Sequence, residues 1–118
     1  MKNIEGFKEL YLYRPFVDMR KAINGLSLIV SDEMKLDPFS PALFVFCNKR
    51  RDIIKTLYWD RSGFALWQKR LEKEKFVWPY KAEEDVVFMK EEHLKWLLDG
   101  FDFLKLKPHE KLEYDRIS

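Results

Sequence analysis

One cysteine, two histidines and four glycines in 118 residues leave this sequence short of the residue types on which many chemistries depend. The lone Cys47 excludes an internal disulfide framework and fits a reducing, cytoplasmic setting. It also excludes zinc sites built from several thiolates, which His93 and His109 do little to replace. No apolar run approaches the ~20 residues needed to cross a bilayer, so no membrane contact is expected. The opening Met1-Lys2-Asn3-Ile4-Glu5 lacks the apolar stretch of a secretory signal. Internal repeats, low-complexity tracts, glycine-rich phosphate loops and the nucleophile-elbow pattern are all missing. The length suits one domain, expected over residues 1–104, with a polar tail over 105–118 that carries Pro108.

What is present is apolar bulk and an uneven distribution of charge. At 47% hydrophobic and 16% aromatic, the chain can build a real core. Its net charge is only +2, yet residues 47–81 hold ten basic and four acidic side chains, a local excess of six. Residues 1–46 balance to zero, and residues 82–118 carry a net −4. A central basic block of this kind attracts polyanions. The plainer reading is a solvated face balanced by the acidic third.

The apolar positions Met19, Ile23, Leu26 and Val30 recur at helical spacing, with Asp18 as N-cap and Gly25 in need of a packing reason. Residues 31–41 read as a loop. Ala42–Cys47 reads as a buried strand, Asn48–Asp52 as a charged turn, and Ile53–Trp59 as a second strand. Asp60-Arg61-Ser62-Gly63 has the residues of a type I turn with glycine in a left-handed bulge. That turn predicts an antiparallel partner over Phe64–Leu71, with Leu57, Trp59, Ala65 and Trp67 on one face and Lys55 and Lys69 further along it. Phe64, Trp67 and Leu71 also fit an amphipathic helix over 64–75, but the turn signature favours strand. Phe76-Val77-Trp78-Pro79 reads as a further short strand, and Lys90–Asp99 as a helix with Leu94, Leu97, Leu98 and Phe101 on one side and Gly100 as its C-cap. The expected fold is α+β: a small antiparallel sheet of three to four strands with an N-terminal and a C-terminal helix.

A metal-dependent nuclease or transposase core needs about three converging carboxylates. Asp18, Asp37 and Asp60 already read as helix cap, pre-proline turn and hairpin turn, and Glu72 alone does not complete a set. Cys47 ends an apolar strand and reads as a core thiol. The expectation is therefore a protein that is not an enzyme, with no cofactor and no metal. Within residues 47–81 seven aromatics, Tyr58, Trp59, Phe64, Trp67, Phe76, Trp78 and Tyr80, alternate with the ten cations. Cations neutralise phosphates and exposed rings stack on unpaired bases, although most of these rings must serve the core. Three adjacent cations, Lys49-Arg50-Arg51, repel one another unless an anion or a carboxylate answers them.

Several segments follow one another in a recognisable order: Asp18–Leu26, Asp37-Pro38-Phe39, Leu43–Asp52, Lys55–Asp60, Gly63-Phe64, Lys69–Lys73 and Phe76–Pro79. Over about residues 10–100 the chain closely resembles the small accessory protein TnpB of the insertion-sequence-66 family of bacterial transposable elements, an Orf2-like family. This is distinct from the much larger RNA-guided nuclease of the same name. The family usually has glycine where Glu74 stands, and commonly at Ala22, where alanine is expected to strengthen the helix. The resemblance implies a helper in transposition beside a separate, larger transposase that carries the catalytic acids.

Two roles fit both the resemblance and the charge. In the first, Lys49, Arg50, Arg51, Lys55, Arg61, Lys69, Arg70 and Lys73 contact DNA phosphates at the element's ends, giving affinity with little sequence readout. In the second, the protein scaffolds its partner transposase without touching DNA, through exposed parts of Trp59, Trp67 and Trp78 or through the Leu94/Leu97/Leu98 helix.

Overall fold

The structure, a computed structural model, describes residues 4–99. Five strands form one sheet in the order β4-β3-β2-β1-β5: β1 (Glu9–Tyr13), β2 (Ala42–Cys47), β3 (Ile53–Asp60), β4 (Gly63–Arg70) and β5 (Val86–Met89). A helix α1 (Ile23–Leu28), continued by a π-helical turn over Ile29–Glu33, links β1 to β2, and α2 (Glu91–Leu98) follows β5. The α+β class expected from sequence is therefore present, but the sheet has five strands and is mixed. β1 runs parallel to β2, while the β1–β5, β2–β3 and β3–β4 pairs are antiparallel.

The all-apolar run of β2 explains its central place, since all six residues are buried and both sheet faces are covered. Leu12, Leu43, Val45, Ile54, Phe76 and Trp78 pack with Leu94 and Leu97 on the α2 side. Tyr13, Phe44, Phe46 and Leu57 pack with Leu26 and Val30 on the α1 side. Each such side chain removed from water contributes ~1.5–3 kcal/mol.

Several expectations are corrected. The first helix starts at Ile23, because Asp18 closes a turn instead of capping a helix: its carboxylate accepts the Arg20 amide at 2.9 Å and its carbonyl accepts the Lys21 amide at 3.0 Å. Ala22 is the extended residue before the helix, at φ −111°, so it lies outside the helix it was expected to strengthen. Gly25 does have a packing reason, as a Cβ there would meet Lys21 Cβ and Cγ at 3.2 Å.

Residues 64–75 are not a helix; β4 occupies 63–70. The hairpin register, however, is one residue from that expected. Trp59 pairs with Phe64 and Asp60 with Gly63, leaving the two-residue loop Arg61-Ser62. The left-handed residue is Arg61, at φ 51°, in place of a bulge glycine. A one-residue slip reverses every side chain, so Ala65 and Trp67 face α2 while Leu57 and Trp59 face α1. Phe76–Trp78 is not a strand. Phe76 donates its amide to Arg51 O at 2.7 Å, and the Trp78 indole donates to Arg14 O at 2.8 Å, with both rings in the α2-side core. The Gly100 cap, Phe101, His109 and the tail over 105–118 lie outside the described residues.

His93 on α2 is 4% exposed, and burial, with Lys90 adding a smaller effect, pushes its pKa down to about 4. The unfolded chain, with a histidine pKa near ~6.5, binds the proton more strongly. Stability from this group is therefore complete above about pH 6.5 and is lost as pH falls toward 4. The expected loss between pH 7 and 4 is about 1–3 kcal/mol from this residue. Urea midpoints of wild type and His93→Gln at pH 7, 5.5 and 4 check it, the variant giving the flatter profile.

Candidate nucleic-acid interface

Strand directions decide which loops meet. β1, β2 and β4 end at the edge of the sheet where β3 and β5 begin, so segments 14–22, 48–52 and 70–85 gather there. Together these segments hold ten basic and seven acidic residues. Lys49, Arg50 and Arg51 lie in the 48–52 turn itself, and Lys75 reaches it from the segment after β4.

That turn is held by its own side chains and by the chain beyond β4. Asn48 Oδ1 accepts the Asp52 and Ile53 amides at 3.1 and 3.0 Å, and its Nδ2 donates to Asp52 Oδ1 at 2.6 Å. This last bond is the main reason the Asp52 carboxyl lies below its usual range. Asp52 O accepts the Leu71 amide at 2.8 Å, and Arg50 O accepts Lys75 Nζ at 2.8 Å. Arg51 takes φ 61°, a left-handed conformation that favours glycine. With its carboxylate turned back toward Asn48, the turn presents Lys49 and Arg50 outward, both exposed.

Arg14, Arg20 and Arg70 pair with Asp85, Asp18 and Glu72, and none of these pairs involves Lys49, Arg50 or Arg51. Asp18 lines an open cleft of ≈ 380 Å³ with Phe16, Lys49 and Arg50. Its carboxyl is held at about 2, chiefly by hydrogen bonding from the Arg20 side chain. Arg20 thus answers the one negative charge in that cleft.

The eight predicted phosphate-binding residues divide unequally. Lys49, Arg50 and Arg51 share the turn; at the same end of the sheet lie Arg70, the last residue of β4, and Lys73, in the connection that wraps the turn. Arg61 is at the opposite end, ~24 Å away along β3 at ~3.4 Å per residue. Lys55 and Lys69 do not share a face. Lys55 is only 8% exposed, with Nζ donating to Met19 O at 2.8 Å and Lys21 O at 2.9 Å ahead of α1. Lys69 turns to the other side and donates to Leu98 O at 2.6 Å, capping the negative end of α2.

Sequence reasoning missed Phe16, Lys75 and Lys81 at this end of the sheet, and gave Tyr80 no specific place in it. Phe16 and Tyr80 remain 37% and 44% exposed. Phe16 follows Pro15 and Tyr80 follows Pro79, a local sign that the chain leaves regular structure there.

The surface expected for protein contact is also corrected. Trp78, Leu94, Leu97 and Leu98 are buried, and only parts of Trp59 and Trp67 reach the surface. Cys47 is a core thiol whose pKa burial pushes up to about 12, so it supplies no thiolate. Among the described residues no three His, Cys, Asp or Glu side chains gather into a metal site, and no helix is long and apolar enough to cross a membrane.

The sequence model of the family described as IS66 Orf2 like protein matches residues 8–108. Two proteins of Sinorhizobium fredii (strain NGR234) are similar to the chain. Uncharacterized protein y4jC is 36% identical over 91 residues, which is 77% of each chain. Uncharacterized protein y4hO is 36% identical over 86 residues, 73% of this chain and 74% of its own. No solved structure matches.

Proposed function

Because the chain belongs to the IS66 Orf2-like family, which implies an accessory role in transposition, we propose that it acts as a non-catalytic subunit binding DNA through the basic end of its sheet. The observation that carries this reading is the fixed turn Lys49-Arg50-Arg51, with Lys73 supplied by the connection that wraps it and Arg70 at the end of β4. Such side chains contact phosphates and position the protein without reading bases. Lys55 and Lys69 are left out of this surface because both ammonium groups are held by backbone carbonyls. The DNA is that of the element's ends, and the partner transposase supplies the chemistry.

Affinity for a duplex carrying the terminal repeat is expected to fall on the order of 100-fold between ~50 and ~200 mM salt, for about four phosphate contacts. Fluorescence anisotropy measures it. No complex at the lower salt with this duplex or with either of its separated strands discards the reading.

A second reading rests on a separate observation. Phe39 is 57% exposed, its ring 5.0 Å from that of Trp59 and 5.3 Å from that of Phe64. Exposed aromatic groups of this kind anchor protein contacts, and the partner here would be the transposase. Pull-down after nuclease treatment separates the two readings, since an association bridged by DNA disappears.

A further inference from the structure

Resting on the DNA-binding reading above, we infer that the Phe16–Tyr80 ring pair is a stacking platform for unpaired bases, which makes single-stranded DNA the preferred ligand of this surface. The two rings are stacked, with centroids 6.3 Å apart and planes 29° from parallel. Phe16, Lys49, Arg51 and Tyr80 line an open hollow of ≈ 250 Å³. The Arg51 guanidinium lies 5.2 Å from the Tyr80 ring centroid and Lys81 Nζ 5.8 Å from it. Rings for bases and cations for the flanking phosphates are the two components that binding of a single strand requires. A closed duplex keeps its base faces stacked on one another and offers these rings nothing to stack on.

The platform is held in place by the fold. Trp78 donates its indole N–H to Arg14 O, tying the segment before Phe16 to the segment before Tyr80. Arg14 in turn donates from Nε to Glu84 O at 3.1 Å and pairs with Asp85, closing the loop that carries Tyr80 and Lys81. On the other side, the Val17 amide donates to Cys47 O at 2.9 Å, one residue from the basic turn. The rings and the Lys49-Arg50-Arg51 turn therefore have fixed relative positions. Both rings are partly exposed beside the Lys49-Arg50-Arg51 turn, and stacking on bases gives rings and cations one use.

The test compares labelled oligo-dT with a blunt duplex of equal length at one salt concentration. Wild type, Phe16→Ala/Tyr80→Ala, Tyr80→Trp and Lys49→Ala/Arg50→Ala are measured on both DNAs, with thermal melts to confirm folding. The expected result is tighter binding of oligo-dT by wild type. The double ring variant should lose about 5- to 100-fold on oligo-dT, with duplex affinity within about twofold. Tyr80→Trp should retain oligo-dT binding, because an indole stacks at least as well as a phenol. An equal loss on both DNAs, or no loss on oligo-dT, overturns the platform. If the rings prove silent while the Lys49/Arg50 variant weakens both DNAs, the platform falls and the DNA-binding reading stands. If wild type binds neither DNA at ~50 mM salt, both fall.

Discussion

Replacing Lys49, Arg50 and Arg51 together by alanine is expected to lower DNA affinity about 500-fold at ~0.1 M salt. Each neutralised phosphate contributes ~0.9 to the slope of log affinity against log salt, so its contribution at ~0.1 M, relative to ~1 M, is about 8-fold. Three contacts multiply to about 500-fold, and the salt slope should fall by about 2.7. Anisotropy titrations at several salt concentrations measure both quantities. The fold should survive, because the turn is held by Asn48 and by backbone carbonyls.

Arg51→Gly sharpens the experiment. At φ 61° an arginine is in a region that costs a non-glycine residue about 1 kcal/mol or more. Glycine should leave stability unchanged or raise it by about 1 kcal/mol, while affinity falls about 8-fold. Opposite movements of stability and binding would mark Arg51 as a residue kept for its side chain. A parallel loss of both would make it structural.

Lys55→Met is expected to cost about 2–4 kcal/mol of stability and to leave the DNA salt slope unchanged. Methionine keeps the apolar stem but supplies no donor, so the Met19 and Lys21 carbonyls lose a charged partner. Hydrogen bonds to charged groups contribute ~1.5–3 kcal/mol each, and an unsatisfied buried acceptor carries its own penalty. In a domain of this size the loss corresponds to a fall in melting temperature of roughly 10–20 °C. Denaturant midpoints and anisotropy on the same variant separate the two roles. Unchanged stability with weakened DNA binding would return Lys55 to the binding surface.

Lys55 also shows where reading the sequence stops. Its position in β3 follows from the pattern Ile53–Trp59, but its acceptors lie 36 and 34 residues earlier in the chain. Those same carbonyls would have accepted intrahelical amides had α1 started earlier, and Lys55 Nζ takes up that role instead. The hairpin between β3 and β4 was placed by Asp60 and Gly63, yet its register was not. Pairing Leu57 with Leu66 and Trp59 with Phe64 directs all four toward the α1 side, a consideration that no turn residue encodes. Glu9–Tyr13 and Val86–Met89 are rich in strand-forming residues, but each is short, and their pairing spans most of the described chain. The basic turn was legible because three cations adjoin in sequence. Its neighbour Phe16 was not, because it meets Tyr80 only through the sheet.

The place of β1 between β2 and β5 has a consequence for how the chain leaves the ribosome. Leu10 pairs with Leu43 on one side and Met89 on the other. β1 is thus synthesised early but completed on its outer side only after residues 86–89 are made. At ~5–20 residues per second that interval is roughly 4–15 s. Until then the nascent chain carries an open, aromatic-rich edge, and chaperones that engage extended segments have their opportunity in that window.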